Sequence, residues 1–237
     1  MSRRVLLFAA LLLLAPCAEA LARQTPAGRP QTAEDPKKSE GAKKPEAAPQ
    51  KPGAARYAEL LEKLKKGDRS TDFTELRMSY AESEQYSPYG GDRDARRAMF
   101  AAINSGNWDE AWKQSAKILE KNYVDINGHF GAFVSSKRKG EEERAQFHKY
   151  VFDGLVKSVQ GGGDGQSMEK AFVVISTDEE YALLNVLGLR PTSQSLMTGG
   201  GHSYDKFTAV DPETQKTYEF YFQIDKPFGW LGQSLKK

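Results

Sequence analysis

The chain has 237 residues, with 34 Lys and Arg against 32 Asp and Glu, a formal net charge of +2, and one cysteine. Residues 1–54 hold 9 of the basic and 5 of the acidic groups, so residues 55–237 keep 25 and 27 and are net −2. A nucleic-acid-binding domain concentrates positive charge in its folded part, the opposite bias, so that class is disfavoured.

Met1–Arg4 followed by the apolar run Val5–Ala15 reads as the n- and h-regions of a secretory signal, too short for a membrane span. Small residues at −3 and −1 place cleavage after Ala20 or Ala22, and a signal over residues 1–22 is preferred. The run before Cys17 resembles a bacterial lipobox, with Pro16 where a small residue belongs, which leaves lipid anchoring at Cys17 as an alternative. Cleavage beyond Cys17 removes the only thiol, and with it cysteine nucleophiles, cysteine metal sites and disulfides. The expected setting is the periplasm or the exterior, with no transmembrane span in the mature chain.

Residues 23–54 contain Pro, Ala, Lys, Gln, Glu and Gly but no aromatic residue. Such a segment cannot bury enough apolar surface to offset its ordering entropy, and is expected to be a disordered linker spanning roughly 30 Å. One domain is then expected over residues 55–237.

Its first half, residues 55–160, reads as helices. Tyr57–Lys66 has an apolar stripe of Tyr57, Leu60, Leu61 and Leu64 and a stop at Gly67. A second helix opens on Asp72 as cap and ends before Pro88. Helices are then expected over Asp92–Asn104, Trp108–Lys121, Asp125–Ser136 and Glu141–Val159. Gly106 and Gly140, each before an acidic helix start, lie 34 residues apart, the tetratricopeptide period. The match is partial, so a helical-hairpin layer that leans on the second half for burial is expected.

The second half begins at Gly161–Gly165, a sharp helix-to-strand turn. Ala171–Ser176 is an apolar β-branched run of buried-strand length. Thr177–Glu180 matches the S/T-x-x-E capping box, with a helix running to Leu187. Ser193–Thr198 is a weak strand, and Tyr204–Val210 and Thr217–Ile224 are stronger ones. In the last, Tyr218, Phe220, Phe222 and Ile224 alternate onto one face, which predicts a core side. The fold class expected is α+β: the helical layer on a small antiparallel sheet with one or two helices, closed by an apolar cover over residues 227–231.

Several segments together resemble the uncharacterised bacterial family known as domain of unknown function 4919: Asp72-Phe73, Leu76-Arg77, Tyr80, Tyr86–Tyr89, Asn122–Asp125, His129, Phe147-His148, Gly163–Gly165, Glu179–Tyr181, Tyr204-Asp205 and Phe220–Phe222. The resemblance spans residues 56–235. It implies an exported or envelope protein and carries no catalytic role.

The three histidines, His129, His148 and His202, form no zinc-hydrolase signature, and neither a cofactor nor a metal is expected. His129 and His148 read as packing or hydrogen-bonding residues between helices. The best catalytic candidates are His202 and Asp205 in Gly199–Asp205, because a glycine-rich approach to a strand leaves room beside groups used in acid–base work. Glu180, or Glu179, would be a further acid. Neighbours in a strand point to alternate faces, so His202 needs a partner from elsewhere. Tyr86 and Tyr89, in a tyrosine-rich stretch, are the binding candidates. The first reading is a non-catalytic module that binds a protein or peptide in the cell envelope; the alternative is a hydrolase-like enzyme around His202 and Asp205.

Overall fold

The computed structural model describes residues 52–235, which fall in one compact unit. The signal, Cys17 and the linker as far as residue 51 lie outside the described residues. Six helices come first: α1 (Pro52–Lys65), α2 (Phe73–Ala81), α3 (Arg93–Asn104), α4 (Trp108–Lys121), α5 (Ile126–Arg138) and α6 (Glu142–Gln160). Then follow β1 (Phe172–Val173), α7 (Thr177–Val186), β2 (Arg190–Gly199), β3 (His202–Val210), β4 (Thr217–Gln223) and α8 (Asp225–Ser234). The chain is therefore α+β, helices first and sheet second. Helix α1 takes in residues 52–54 of the expected linker, with Pro52 at the start, where its missing N–H costs nothing.

Side-chain caps set most helix starts. Asp72 accepts from the N–H groups of Thr74 and Glu75, Asp92 from Ala95, Asn107 from Glu110 and Asp125 from Gly128. Helices α3 to α6 each pack on the next in sequence.

The sheet order is β1-β4-β3-β2. Strands β2, β3 and β4 are antiparallel, but β1 joins β4 in parallel, so the sheet is mixed and not purely antiparallel. Strand β1 reaches β4 only after α7, β2 and β3, and such a crossover leaves its direction free of hairpin constraint. Ala171–Ser176 contributes only two residues to the ladder, whereas Ser193–Thr198 lies within the longest strand, ten residues. The weak pattern there has a physical reason: β2 is an edge, exposed on both faces along most of its length, so no core selects alternation. Residues 227–231, expected as an apolar cover, lie in helix α8, but Phe228 and Leu231 are exposed and Trp230 alone of its large apolar side chains packs on the core.

A single cluster joins the halves. Tyr57, Leu64, Leu76 and Tyr80 from the first helices share it with Val151, Leu155 and Val159 of α6, and with Phe207, Phe220, Phe222 and Ile224 of the sheet. Gly165, at a left-handed φ of 71°, makes the turn between α6 and β1; its N–H donates to the Lys170 carbonyl and its own carbonyl accepts from Tyr221.

Candidate functional site

Three acids in succession open α7, and each meets a different fate. Asp178 takes the Arg96 guanidinium of α3 in a two-pronged contact, 2.7 Å on each oxygen. Arg96 also reaches the buried Asp125 at 3.1 Å, where burial, only partly offset by Arg96, holds that carboxyl above its ordinary range. Glu179 takes the fully buried Arg77 of α2 at 2.6 and 2.8 Å and accepts the Ile175 N–H at 2.8 Å. Arg77 in turn donates to the Val173 carbonyl and to Ser158, so one side chain ties α2, α6, β1 and the start of α7.

Glu180 has no arginine. It is 0% exposed, and both of its carboxyl oxygens are buried without a donor, the one carboxylate so placed among the described residues. The acid that bears on it most is the Asp205 carboxylate of β3, itself an acceptor, so a hydrogen bond between the two would need a shared proton. Burial, the Asp205 charge and then Glu179 and Asp178 push the Glu180 carboxyl up to about 9, so at neutral pH it carries that proton.

The sequence pattern places a capping box at Thr177–Glu180, but the cap is Ser176, whose hydroxyl accepts from the Glu179 N–H. The box is displaced by one residue. Glu180 thereby does not reach back to the helix start and turns onto the core face of the sheet.

Around the pair stand polar and aromatic groups. Gln194 of β2 donates to Asp205 at 2.8 Å and accepts from the Tyr181 hydroxyl at 3.1 Å. Tyr181 is 44% exposed and Tyr89 38%; burial and then the charges of Glu180 and Asp205 raise both phenols, and Tyr181 is joined to Asp205 through Gln194. Tyr89 also packs on Trp230 of α8 with ring centroids 6.1 Å apart. Tyr86 has a different place: it is buried and its hydroxyl donates to the Ile175 carbonyl at 2.6 Å. It anchors the loop before α3 to the core, while Tyr89 presents a surface.

His202 and Asp205 point to opposite faces of β3. His202 finds its acid at the start of α8, where Asp225 lies 2.5 Å from its Nδ1. Gln223 and the Ser203 N–H also donate to Asp225; its own burial is outweighed by these contacts and by His202, which hold the carboxyl below the usual range. The Gln223 amide also lies 2.8 Å from the same Nδ1, so the half-exposed imidazole sits against both Asp225 and Gln223. Sequence adjacency could not reveal this dyad, because Asp225 is 23 residues away.

The other two histidines meet between helices. Their Nδ1 atoms are 2.9 Å apart, and His129 Nε2 donates to the Tyr123 carbonyl at 2.8 Å, so His148 must give its Nδ1–H to His129. Burial first, then the neighbouring positive charge, lowers His129 to about 3 and His148 to about 4, so both are neutral hydrogen-bonding elements of the core. A cleft of about 240 Å3 lies beside Asp92, Asp125 and Asp178, but all three acids are already paired, Asp92 with Lys121 and both Asp125 and Asp178 with Arg96. No group of three or more His, Cys, Asp or Glu positioned to hold a metal occurs among the described residues. No helix among them is long and apolar enough to cross a membrane.

The outer side of β2 has no strand partner among the described residues. After Arg190 the strand carries no charge through Gly199, and Leu196, 57% exposed, sits on the same row as Asp205. Its hairpin to β3 closes through Gly200 and Gly201, both at positive φ (58° and 85°), the geometry of a type I′ turn. In that turn the flanking pair, Gly199 and His202, exchanges hydrogen bonds. Counting back, Met197 and Ser195 bond to β3, while Thr198, Leu196 and Gln194 aim their N–H and C=O groups at the open side.

Fold and site together define an α+β chain, helices first and a four-stranded mixed sheet second, with a buried pair of acids, Glu180 and Asp205, set one strand inside an open edge. The chain belongs to the family described as Domain of unknown function (DUF4919), whose family model matches residues 49–230. No curated protein and no solved structure matches it.

Proposed function

We propose that this is an exported interaction module that binds an extended peptide segment of a protein partner by adding it as a fifth strand along β2. The carrying observation is the edge itself: ten residues long, uncharged after its first, and open on its outer side among the described residues. Soluble proteins usually blunt such an edge with lysine, shortness or cover, because unpaired N–H and C=O groups template pairing with another chain. Here there is one irregularity, between Pro191 and Ser193 at the start of the strand. Exposed Leu196 on the edge strand and Tyr181 beside it offer apolar contact for alternate side chains of the partner. The leader and linker readings supply the exported setting, and the hairpins α3 to α6 serve in this reading as a repeat-type brace.

The test uses a displayed library of random ten-residue peptides, selected on the folded protein. Selected peptides should bind Leu196→Pro roughly tenfold or more weakly, because proline removes an outward N–H that the β2–β3 ladder does not use. Leu196→Ala, which keeps that N–H, should lose distinctly less. Peptides that bind both variants equally would show that the edge is not the site.

A hydrolase-like reading draws on the His202–Asp225 dyad, an exposed imidazole beside a carboxylate as in a general base. Against it, Ser203 side-chain alternation turns its hydroxyl to the other face, and the strand's other acid, Asp205, is engaged with Glu180. Peptide binding unchanged in His202→Ala separates the two readings in favour of the first.

A further inference from the structure

The strand-addition reading leaves Glu180 unexplained, and a buried carboxyl with two orphaned oxygens calls for an explanation. Of the three acids opening α7, Asp178 and Glu179 each hold an arginine from the helical layer, and Glu180 holds none. The charges that act on it are all acidic, Asp205 on β3 and then Glu179 and Asp178 on its own helix, while the neutral Gln194 of β2 and the phenols of Tyr89 and Tyr181 lie nearby. Arg77 and Arg96 are spent on the other two acids. The pair is thus two buried acceptors with no cation of its own, close to the exposed Tyr181, whose hydroxyl reaches it through Gln194.

Its position relative to the edge matters. Asp205 is the direct cross-strand neighbour of Leu196, on one face of the sheet. A strand laid along β2 would put the residue opposite Leu196 two strand spacings from Asp205, about 10 Å between backbones. A long basic side chain covers that distance by running its methylene stem over Leu196 and ending at the carboxyl pair.

We propose that Glu180 and Asp205, rimmed by Tyr89 and Tyr181, form the pocket for one Lys or Arg side chain of the strand that adds to β2. This rests on the strand-addition reading and names what that strand must carry. On entry the cation takes the place of the shared proton. Glu180 releases that proton to solvent, both carboxylates become charged, and Gln194 swings from Asp205 toward the edge.

The peptides selected above provide the probe. A Lys or Arg is expected at the position paired with Leu196, and replacing it by norleucine should weaken binding roughly tenfold or more. Calorimetry at pH 7 in two buffers of different ionisation enthalpy should show close to one proton released by the basic peptide and none by its norleucine twin. In Glu180→Gln, where the amide hydrogen-bonds to Asp205, the discrimination between the twins and the proton release should both disappear. Peptides sensitive to Leu196→Pro that show no basic preference, or basic peptides that bind with no proton released, would overturn the cation pocket and leave strand addition standing. A library that yields no peptide sensitive to Leu196→Pro would overturn both.

Discussion

Replacing Arg77 by methionine should lower the unfolding free energy by about 3–5 kcal/mol, the cost of leaving a buried charge without its partner. The guanidinium is fully buried and meets Glu179 at 2.6 and 2.8 Å, the Val173 carbonyl at 3.0 Å and Ser158 at 3.2 Å. Methionine keeps the packing volume but leaves the carboxylate facing a low-dielectric core, with the Ile175 N–H as its remaining donor. The companion change Glu179→Gln removes that charge while keeping an oxygen for Ile175. The double variant should therefore recover most of the loss, which denaturant unfolding of the four proteins measures as a coupling energy. Purely additive losses would mean that Arg77 acts through packing alone.

Glu180→Gln should do the reverse at neutral pH and stabilise the fold. The carboxyl is raised from its ordinary value near 4.3 to about 9, so the native state holds a proton that the unfolded chain has already released. Stability contributed by that proton is fully present below about pH 4.3 and is lost as pH rises toward about 9. By pH 7 the loss amounts to about 3 kcal/mol. Glutamine donates to Asp205 at every pH and titrates nothing. The variant should gain about 3 kcal/mol over the parent at pH 7 and little at pH 4.5, read from denaturant midpoints across that range. Parallel curves for the two proteins would show that no proton is shared. A stability cost of this size at working pH is the pattern expected of a group retained for binding.

The helices were largely legible in the sequence because their starts carry their own chemistry. Asp72, Asp92, Asn107 and Asp125 cap where they stand, and Trp108–Lys121 is read to the residue. The core side of β4 was legible too, since Phe220, Phe222 and Ile224 alternate onto buried ground. Strand β2 was faint because both its faces meet solvent, and burial is what writes alternation into a strand. The site was half visible. Glu180, Asp205 and Tyr89 could be singled out by type, but Tyr86 and Tyr89 look alike in sequence, and only the fold buries one and exposes the other. The acid paired with His202 was invisible, because only the antiparallel return of β4 brings Asp225 back to the start of β3. The frame of the α7 cap decided the rest. Two adjacent hydroxyl residues, Thr177 and Ser176, compete for one role, and the choice of Ser176 sends Glu180 into the interior.

The claim that β2 accepts a strand is tested most directly by amide hydrogen exchange, residue by residue, with and without a selected peptide. In the free protein, Met197 and Ser195 should be protected by their bonds to β3, while Leu196, Thr198 and Gln194 exchange fast. Saturating peptide should slow Leu196, Thr198 and Gln194 by roughly tenfold or more and leave the other two little changed, since only the outward N–H groups gain an acceptor. Tight binding with those three amides still exchanging at the free rate would contradict the account.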